Sequence, residues 1–523
     1  MPYTVRRALV ELAIAAAWSP LLAVPAAAQP APAATAVRRL SVEDAVRLAL
    51  EQNLGIQVER FGPQIQDTSV SAARGGWTPT LTTTVQDNRA NTPATSLFAG
   101  GQNSIISTAI SAEVGLRQTL PTGARYSIAW DSARDTSTNI FNSYNPQTSS
   151  NVSLSVTQPL LRNFKIDDIR RQVESSKTDR SSAGISLDSA IAQTTRQVKN
   201  AYWDLTYQID NLKAQQQSLD LAKQLLSDNE RRVAAGTMAS LDIVTAQSEV
   251  ARNEEGVIVA DSAAKQAEDR LRVLIFDPAM PDFWTVTIEP ADPGPFQARE
   301  IDVDAAVRRA LDARSDVRLA KDALARDDIS IKYFHNQTLP QLDAQAAYTT
   351  AAVGGSALSP ITTFPVGPIQ RSIVSQQGFG SVLGDVITSS FPTWTVGLTV
   401  GYPIGTSAAD ADLARARLQS MQEQKHLKNV ELQVVTEVRD QARQVQTNQK
   451  RVDSARAARE LSERRLDAEQ KKFAAGIDTS FFVFQAQRDL SQARTDEARA
   501  AADYNKSLVD FEAVQEAPLG AAR

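Results

Sequence analysis

Leu40-Ser-Val-Glu-Asp-Ala-Val-Arg-Leu-Ala-Leu50 recurs as Ile301-Asp-Val-Asp-Ala-Ala-Val-Arg-Arg-Ala-Leu311, 261 residues further along the chain. The same offset carries Pro79-Thr-Leu81 onto Pro340-Gln-Leu342. Pro159 then matches Pro403 at an offset of 244, while Ala234-Ala-Gly236 matches Ala474-Ala-Gly476 and Ala246-Gln247 matches Ala486-Gln487, both at 240. Five matches in order, with one consistent drift, describe an internal two-fold repeat. The first repeat runs over 40–275 and the second over 301–515, joined by a linker at 276–300 and followed by a tail at 516–523.

Each copy has the same grammar. A short helix opens it, capped in the first copy by Ser41 with Asp44 three residues on. After a prolyl break come segments of period-2 alternation, at about 80–158 and 341–403. In the second copy Trp394, Val396, Leu398, Val400 and Tyr402 share one parity, and Thr395, Gly397, Thr399 and Gly401 the other. In the first, Val152, Leu154 and Val156 alternate with Ser153, Ser155 and Thr157. Two more strands, one through Ile110, Ala112, Val114 and Leu116 and one through Tyr126, Ile128 and Trp130, flank the turn Leu120-Pro-Thr-Gly123. Alternation alone fits a soluble sandwich as well as a membrane barrel. A small, uncharged polar parity and aromatics at the strand ends favour the barrel, whose girdles meet the two faces of a bilayer.

A long helical hairpin follows each strand region, at about 164–275 and 408–512. Val198, Tyr202, Leu205, Ile209, Leu212, Leu219, Leu226 and Val233 form a heptad seam. On the returning helix of the second copy the seam is Ala486, Leu490, Ala493, Ala500 and Tyr504, with Glu497 at the skipped position. Helices of this length reach on the order of 100 Å and cannot close around one globular core. The fold class is therefore mainly α, with long coiled-coil hairpins and a membrane β part; a pore-less periplasmic coiled-coil scaffold is the other reading.

Composition narrows the function. The 523 residues carry 55 basic and 60 acidic side chains, 42% hydrophobic residues, no cysteine and two histidines, His335 and His426. Disulfides, thiolate metal sites and a cysteine nucleophile are excluded, and the near balance of charge offers nucleic acid nothing. No G-x-S-x-G, H-E-x-x-H or Walker A pattern occurs, so neither an enzyme nor a cofactor or metal site is expected. Gly378-Phe-Gly-Ser-Val-Leu-Gly384 has the wrong spacing for a dinucleotide fold and reads as a flexible loop. It lies in one of three stretches, at about 88–108, 134–149 and 349–390, that read as long polar loops capping an outer mouth. Arg6 and Arg7, an apolar run from Ala8 to Val24 and Ala26-Ala27-Ala28 have the layout of a secretory signal peptide over 1–28, with a Pro-Ala-rich linker at 29–39.

The hairpin tips read Val233-Ala-Ala-Gly236-Thr237-Met238-Ala239-Ser240-Leu241-Asp242 and Phe473-Ala-Ala-Gly476-Ile477-Asp478-Thr479-Ser480-Phe481-Phe482. Each holds a glycine where the outgoing helix must stop, as a left-handed C-cap requires. Phe481, Phe482 and Phe484 crowd the point where a solvated turn becomes helix, and unpaired aromatics there call for a partner.

From Leu40 to about Phe511 the chain resembles outer-membrane efflux proteins of the TolC type. The resemblance rests on the doubled Leu-x-x-x-x-Ala-Val-x-x-Ala-Leu-x-x-Asn opening, complete only in the first copy because Arg314 stands where Asn53 would recur. Pro79-x-Leu81 with its partner, Gln158-Pro159-Leu160 and the Ala-x-Gly tips add to it. It implies a homotrimer in which each protomer lends about four strands to one shared barrel in outer-membrane lipid. Its helices would join a trimeric α-barrel projecting through the periplasm. The tips would close a periplasmic aperture and dock an adaptor protein, linked in turn to an inner-membrane pump or secretion ATPase. Gly236, Thr237, Met238, Ala239, Ser240, Leu241, Gly476, Ile477, Thr479 and Ser480 are the implied docking residues. The implied gate positions are Asp242, Phe473, Asp478, Phe481, Phe482 and Gln485. The family's paired aspartates correspond here to Phe482 and Gln485, and Asp242 with Asp478 cannot form a salt bridge, so an apolar constriction on Phe481 or Phe482 is expected. The four strand-like segments before Pro159 exceed the pair per half that the family implies, which points to an extra surface hairpin.

Overall fold

Residues 37–95, 102–292, 298–361, 370–405 and 407–519 are described by the computed structural model; the expected signal peptide lies outside them. The first repeat comprises β1 (Val37–Leu40), α1 (Val42–Gln52), α2 (Leu54–Glu59), α3 (Phe61–Arg74), β2 (Thr80–Pro93), β3 (Ser104–Thr119), β4 (Arg125–Ser137), β5 (Tyr144–Pro159), α4 (Asp168–Ala234) and α5 (Ser240–Ile275). After β6 (Thr287–Pro290) the second comprises α6 (Val303–Ala313), α7 (Ser315–Gln337), β7 (Gln341–Leu358), β8 (Ile373–Gln376), α8 (Phe379–Ile387), β9 (Pro392–Gly401), α9 (Ala408–Ala474) and α10 (Ser480–Ala513).

The outgoing helices α4 and α9 have 67 residues each, about 100 Å at 1.5 Å per residue. The return helices α5 and α10 have 36 and 34, about half that length. They cover only the distal halves of α4 and α9, and α3 and α7 pack along the proximal halves. The predicted seam holds near the middle of α4, where Val198, Tyr202 and Leu205 are buried. Toward the tip it rotates: Leu212, Leu219, Leu226 and Val233 are only half-buried, and Ala214, Ala222, Leu225 and Asn229 take the interior. A straight helix drifts about 20° per heptad against a strict 3.5-residue repeat, so a seven-residue spacing cannot stay on one face of a long helix. Glu497, the break in the α10 seam, is held by Arg459 at 2.5 Å and Arg456 at 3.7 Å across the helix pair.

Each repeat has a core at mid-length. In the first, Leu40, Ala45 and Ala49 meet Tyr202 and Leu205 of α4, Leu271 and Ile275 of α5, and Phe276, Phe283, Val286 and Ile288. The last four correct the linker expected at 276–300: its apolar residues are core, and β6 pairs in parallel with β1. The Tyr202 hydroxyl lies 3.1 Å from both the Leu40 carbonyl and the Asp292 carboxylate, and burial pushes its pKa up to about 12. The tail expected at 516–523 is also partly structural. Ala517 is buried, Leu519 packs against the core of the second half, and the Glu516 carbonyl accepts a hydrogen bond from Ser315 N–H at 2.9 Å.

Asn53 and Arg314 hold equivalent joints although their chemistry differs. Asn53 caps α2 through Ile56 N–H and donates from Nδ2 to the Leu274 carbonyl at the end of α5. Arg314, 1% exposed, donates to the Val514 carbonyl at the end of α10 and pairs with Asp316 at 3.0 Å and Glu437 at 2.5 Å. In both copies a side chain between two short helices satisfies an orphan carbonyl of the return helix.

β2, β3, β4, β5, β7 and β9 form one antiparallel sheet in that order, with the short β8 beside the far end of β7. All the long helices leave from one end of it, and the strand ends Pro93, Ser104, Ser137, Tyr144 and Leu358 lie at the other. Regular structure enters all three expected polar loops: β2 and β3 run into the first, β4 and β5 into the second, and β7, β8 and α8 into the third, while residues 96–101 of the first and 362–369 of the third lie outside the described residues. The extra segments of the first half are not a surface hairpin but β3 and β4, inside the sheet.

The stretch read as a flexible loop is helix α8, which packs Val382 and Val386 on Ala352 and Val152. A Cβ at Gly354 would come within 2.6 Å of the Val382 side chain, so that glycine makes room for the helix.

Arg314→Ala leaves Glu437 and Asp316 without their cation. The expected cost is on the order of 2–3 kcal/mol, below that of a fully buried pair because both carboxylates keep part of their hydration. Faster hydrogen exchange at α7 and the end of α10 would show it; unchanged exchange would refute the joint. At the tips, Gly236 (φ +75°) and Gly476 (φ +73°) close Schellman turns, in which Thr237 and Ile477 N–H bond the Arg232 and Lys472 carbonyls. Nothing lies within 4 Å of a Cβ at either glycine, so alanine there meets strain without a clash. Each alanine variant should lose about 1 kcal/mol of local stability, read as faster exchange confined to the last turns.

Candidate functional site

Two surfaces stand out, the faces of the sheet and the hairpin tips. Across the ladder Leu116, Ile128, Leu154, Tyr348 and Trp394 occupy one row, with Leu81 opposite Leu116 on β2. The neighbouring same-face rows read Val114, Trp130, Val152 and Thr350, then Gln118, Tyr126, Val156, Ala346 and Val396. The opposite face reads Gly115, Ala129, Ser153, Thr349 and Thr393, then Glu113, Asp131, Asn151 and Ala351. One face is thus an apolar band and the other a polar surface with charges. A one-residue slip of any strand would reverse its two faces, so the register carries the design.

Trp394, Val396, Leu398 and Val400 are each about 70% exposed, and no second sheet covers them among the described residues. A soluble sandwich would bury that face, and the scaffold reading loses its support here. The arrangement matches membrane barrels, with apolar side chains outward and polar ones toward a lumen. α8 lies on the apolar side, toward the end away from the helices, and leaves Phe379 and Ile387 exposed. No helix among the described residues is long and apolar enough to cross a membrane.

At the opposite extreme the two tips meet in one apolar cluster. Leu225, Ala246 and Met238 of the first hairpin pack with Leu466, Phe473, Val483, Phe484 and Leu490 of the second. The Arg232 guanidinium sits 4.2 Å over the Phe473 ring, and its Nη1 donates to the Phe473 carbonyl at 3.2 Å. Arg232 escaped the sequence reading because an arginine in the last turn of a helix is ordinary there.

Several expected positions fall elsewhere than on a free surface. Phe473 is 7% exposed, held under Arg232, and Phe484 is core rather than an unpaired aromatic. Ser480 is 3% exposed, which removes it from the docking surface, and Met238 is half-buried. Gly236, Thr237, Ala239, Ser240, Leu241, Gly476, Ile477 and Thr479 are exposed, Leu241 and Ile477 at more than 70%.

Phe481 and Phe482 are solvent-facing and stack edge to face at 5.6 Å, with Gln485 half-buried one turn on. Asp242 lies in the first turn of α5, where the helix dipole favours a carboxylate. Asp478 accepts a hydrogen bond from Thr479 N–H. Glu469, and more weakly Asp478, hold the Lys472 ammonium above its ordinary pKa.

The family described as outer membrane efflux protein matches residues 45–275 and 306–514, which together make up most of the chain. No curated protein sequence matches the chain. Among solved structures, the VceC outer membrane protein of Vibrio cholerae superposes with a TM-score of 0.63 at 12% identity, covering 92% of this chain and 97% of its own. The Campylobacter jejuni CmeC outer membrane channel gives 0.61 at 14%, covering 91% and 85%. The open-state MtrE outer membrane channel of Neisseria gonorrhoeae gives 0.61 at 15%, covering 91% and 89%. At such identities the likeness is one of fold. The family match, which spans both repeats, is what assigns the chain: it belongs to the outer membrane efflux protein family, and its place is the outer membrane, from which it extends into the periplasm.

Proposed function

We propose that the protein is the outer-membrane duct of a tripartite efflux or type I secretion assembly, working as a homotrimer. The strands of three copies close one barrel, and their helices continue it as a tunnel through the periplasm. The observation that carries this reading is the sheet with one apolar and one polar face across six strands, joined at one end to helices of about 100 Å. A duct of this kind conducts passively. Energy and substrate choice then belong to an inner-membrane pump or ATPase, reached through a periplasmic adaptor.

The exposed tip residues, chiefly Gly236, Thr237, Leu241, Gly476 and Ile477, form the adaptor surface. Small residues and two protruding aliphatic side chains suit a partner that offers shallow apolar pockets. The aperture is lined by Phe481 and Phe482, with Asp242, Asp478 and Gln485 around them. Since both acidic positions carry the same sign, closure rests on apolar contact and on Arg232 over Phe473 rather than on an ion pair.

Detergent-extracted protein should fractionate with the outer membrane at about three times the mature chain mass; recovery as a soluble periplasmic monomer would end the duct reading. In planar bilayers Phe482→Ala should raise the conductance of the resting channel several-fold, with little change in its block by multivalent cations. An unchanged conductance would remove Phe482 from the gate.

A further inference from the structure

We infer that this chain builds a wider barrel than four strands per protomer would give, with six strands per copy and eighteen in the assembled trimer. The closing seam is β9 of one copy paired antiparallel with β2 of the next. The inference deepens the trimeric duct proposed above and rests on it for the copy number; the six strands rest on the sheet itself.

Strands β3 and β4 decide the matter. Had they been a surface excursion, β2 would pair with β5. Instead β2 pairs with β3 over its whole length, from Thr80 opposite Arg117 to Pro93 opposite Ser104, and β4 pairs with β5 from Arg125 opposite Thr157 to Asp135 opposite Gln147. The two strands have 16 and 13 residues, more than the 9–11 a tilted strand needs to cross a bilayer. Their outward residues, Val114 and Leu116 on β3 with Ile128 and Trp130 on β4, fall in the same rows as Val152 and Leu154 of β5. Lipid-facing character therefore runs through the inserted pair without a break.

Closure follows from the edges. Among the described residues β2 pairs only with β3, and β9 only with β7, so each offers one unpaired edge. Bilayer hydrocarbon supplies no partner for such an edge, and six strands fall short of the eight of the smallest membrane barrels. Further copies must supply the missing pairs. Strand directions alternate from β2 to β9, and with six per copy β9 runs antiparallel to the β2 that follows it. Strands 4.8 Å apart and tilted by about 40° give a backbone diameter of about 36 Å for eighteen strands, against about 24 Å for twelve.

The test joins native mass spectrometry with electron cryomicroscopy of the full-length protein in nanodiscs. The expected result is a trimer whose barrel shows eighteen strands, with β3 and β4 in the wall. A trimer with twelve strands and the hairpin folded outside overturns the inference while leaving the duct intact. Any other copy number overturns the count of eighteen through the trimeric reading, and the mass identifies that failure separately. As a check on the wall in cells, the chain has no cysteine of its own. The Ser127 and Ser155 hydroxyls lie 2.7 Å apart across β4 and β5. Ser127→Cys with Ser155→Cys should form an intramolecular disulfide in outer membranes; absence of the bond, with the barrel otherwise assembled, counts against β4 as a wall strand.

Discussion

Bilayer hydrocarbon has no hydrogen bond to give, and each unpaired backbone N–H or C=O left there costs several kcal/mol. The rest of this structure follows from that constraint. It demands a continuous ladder from β2 to β9, and the ladder in turn fixes which residues face lipid. Because side chains alternate, every strand must keep its register to within one residue or show its serines and threonines to hydrocarbon. The cross-strand rows through Ile128, Leu154, Tyr348 and Trp394 show that register kept over strands from both repeats. Among the described residues the ladder ends in two open edges, one on β2 and one on β9.

The helices solve a related problem by other means. A helix of 67 residues satisfies its own backbone but has too much side to bury in one protomer. Here the proximal half of α4 is covered by α3 and α7, the distal half by α5 and α10, and the two cores sit near mid-length, where β1, α1, β6 and α6 gather. The two halves agree more closely in the positions that need support than in the residues that give it. Asn53 uses an amide and Arg314 a buried guanidinium to reach the same kind of carbonyl, and the charged version brings in Asp316 and Glu437 to balance it.

The repeat, the long hairpins, the tips and the alternating strands were legible because each has a periodicity or a punctuation that local physics imposes. What escaped shares a different property, since it depends on contacts distant in sequence. Val382 and Val386 are one turn apart, but two valines among glycines do not declare a helix until Ala352 and Gly354 provide a floor. The far ends of β2 through β5, about 88–93, 104–108, 134–137 and 144–149, are mostly polar and carry no apolar alternation, so they read as loops. Phe276, Phe283, Val286 and Ile288 looked like a linker because the alternation of Val286 and Ile288 is too short to declare a strand until β1 pairs with it. Ser480 differs from its counterpart Ser240 only in what packs around it.

The tips set the remaining question, namely what kind of force holds the two hairpins together there. An exposed ion pair contributes about 0–1 kcal/mol and weakens with salt. The cation over an aromatic ring contributes about 0.5–2 kcal/mol, and the Arg232 hydrogen bond to the Phe473 carbonyl adds a charge-assisted contact of similar size. Around them Leu225, Met238, Phe484 and Leu490 supply apolar burial, which salt does not screen. Asp242 and Asp478 stand outside that cluster with like charge and oppose closure if they act at all. The balance places the energy that holds the two tips together in side-chain packing between the hairpins of one protomer rather than in an ion pair between Asp242 and Asp478.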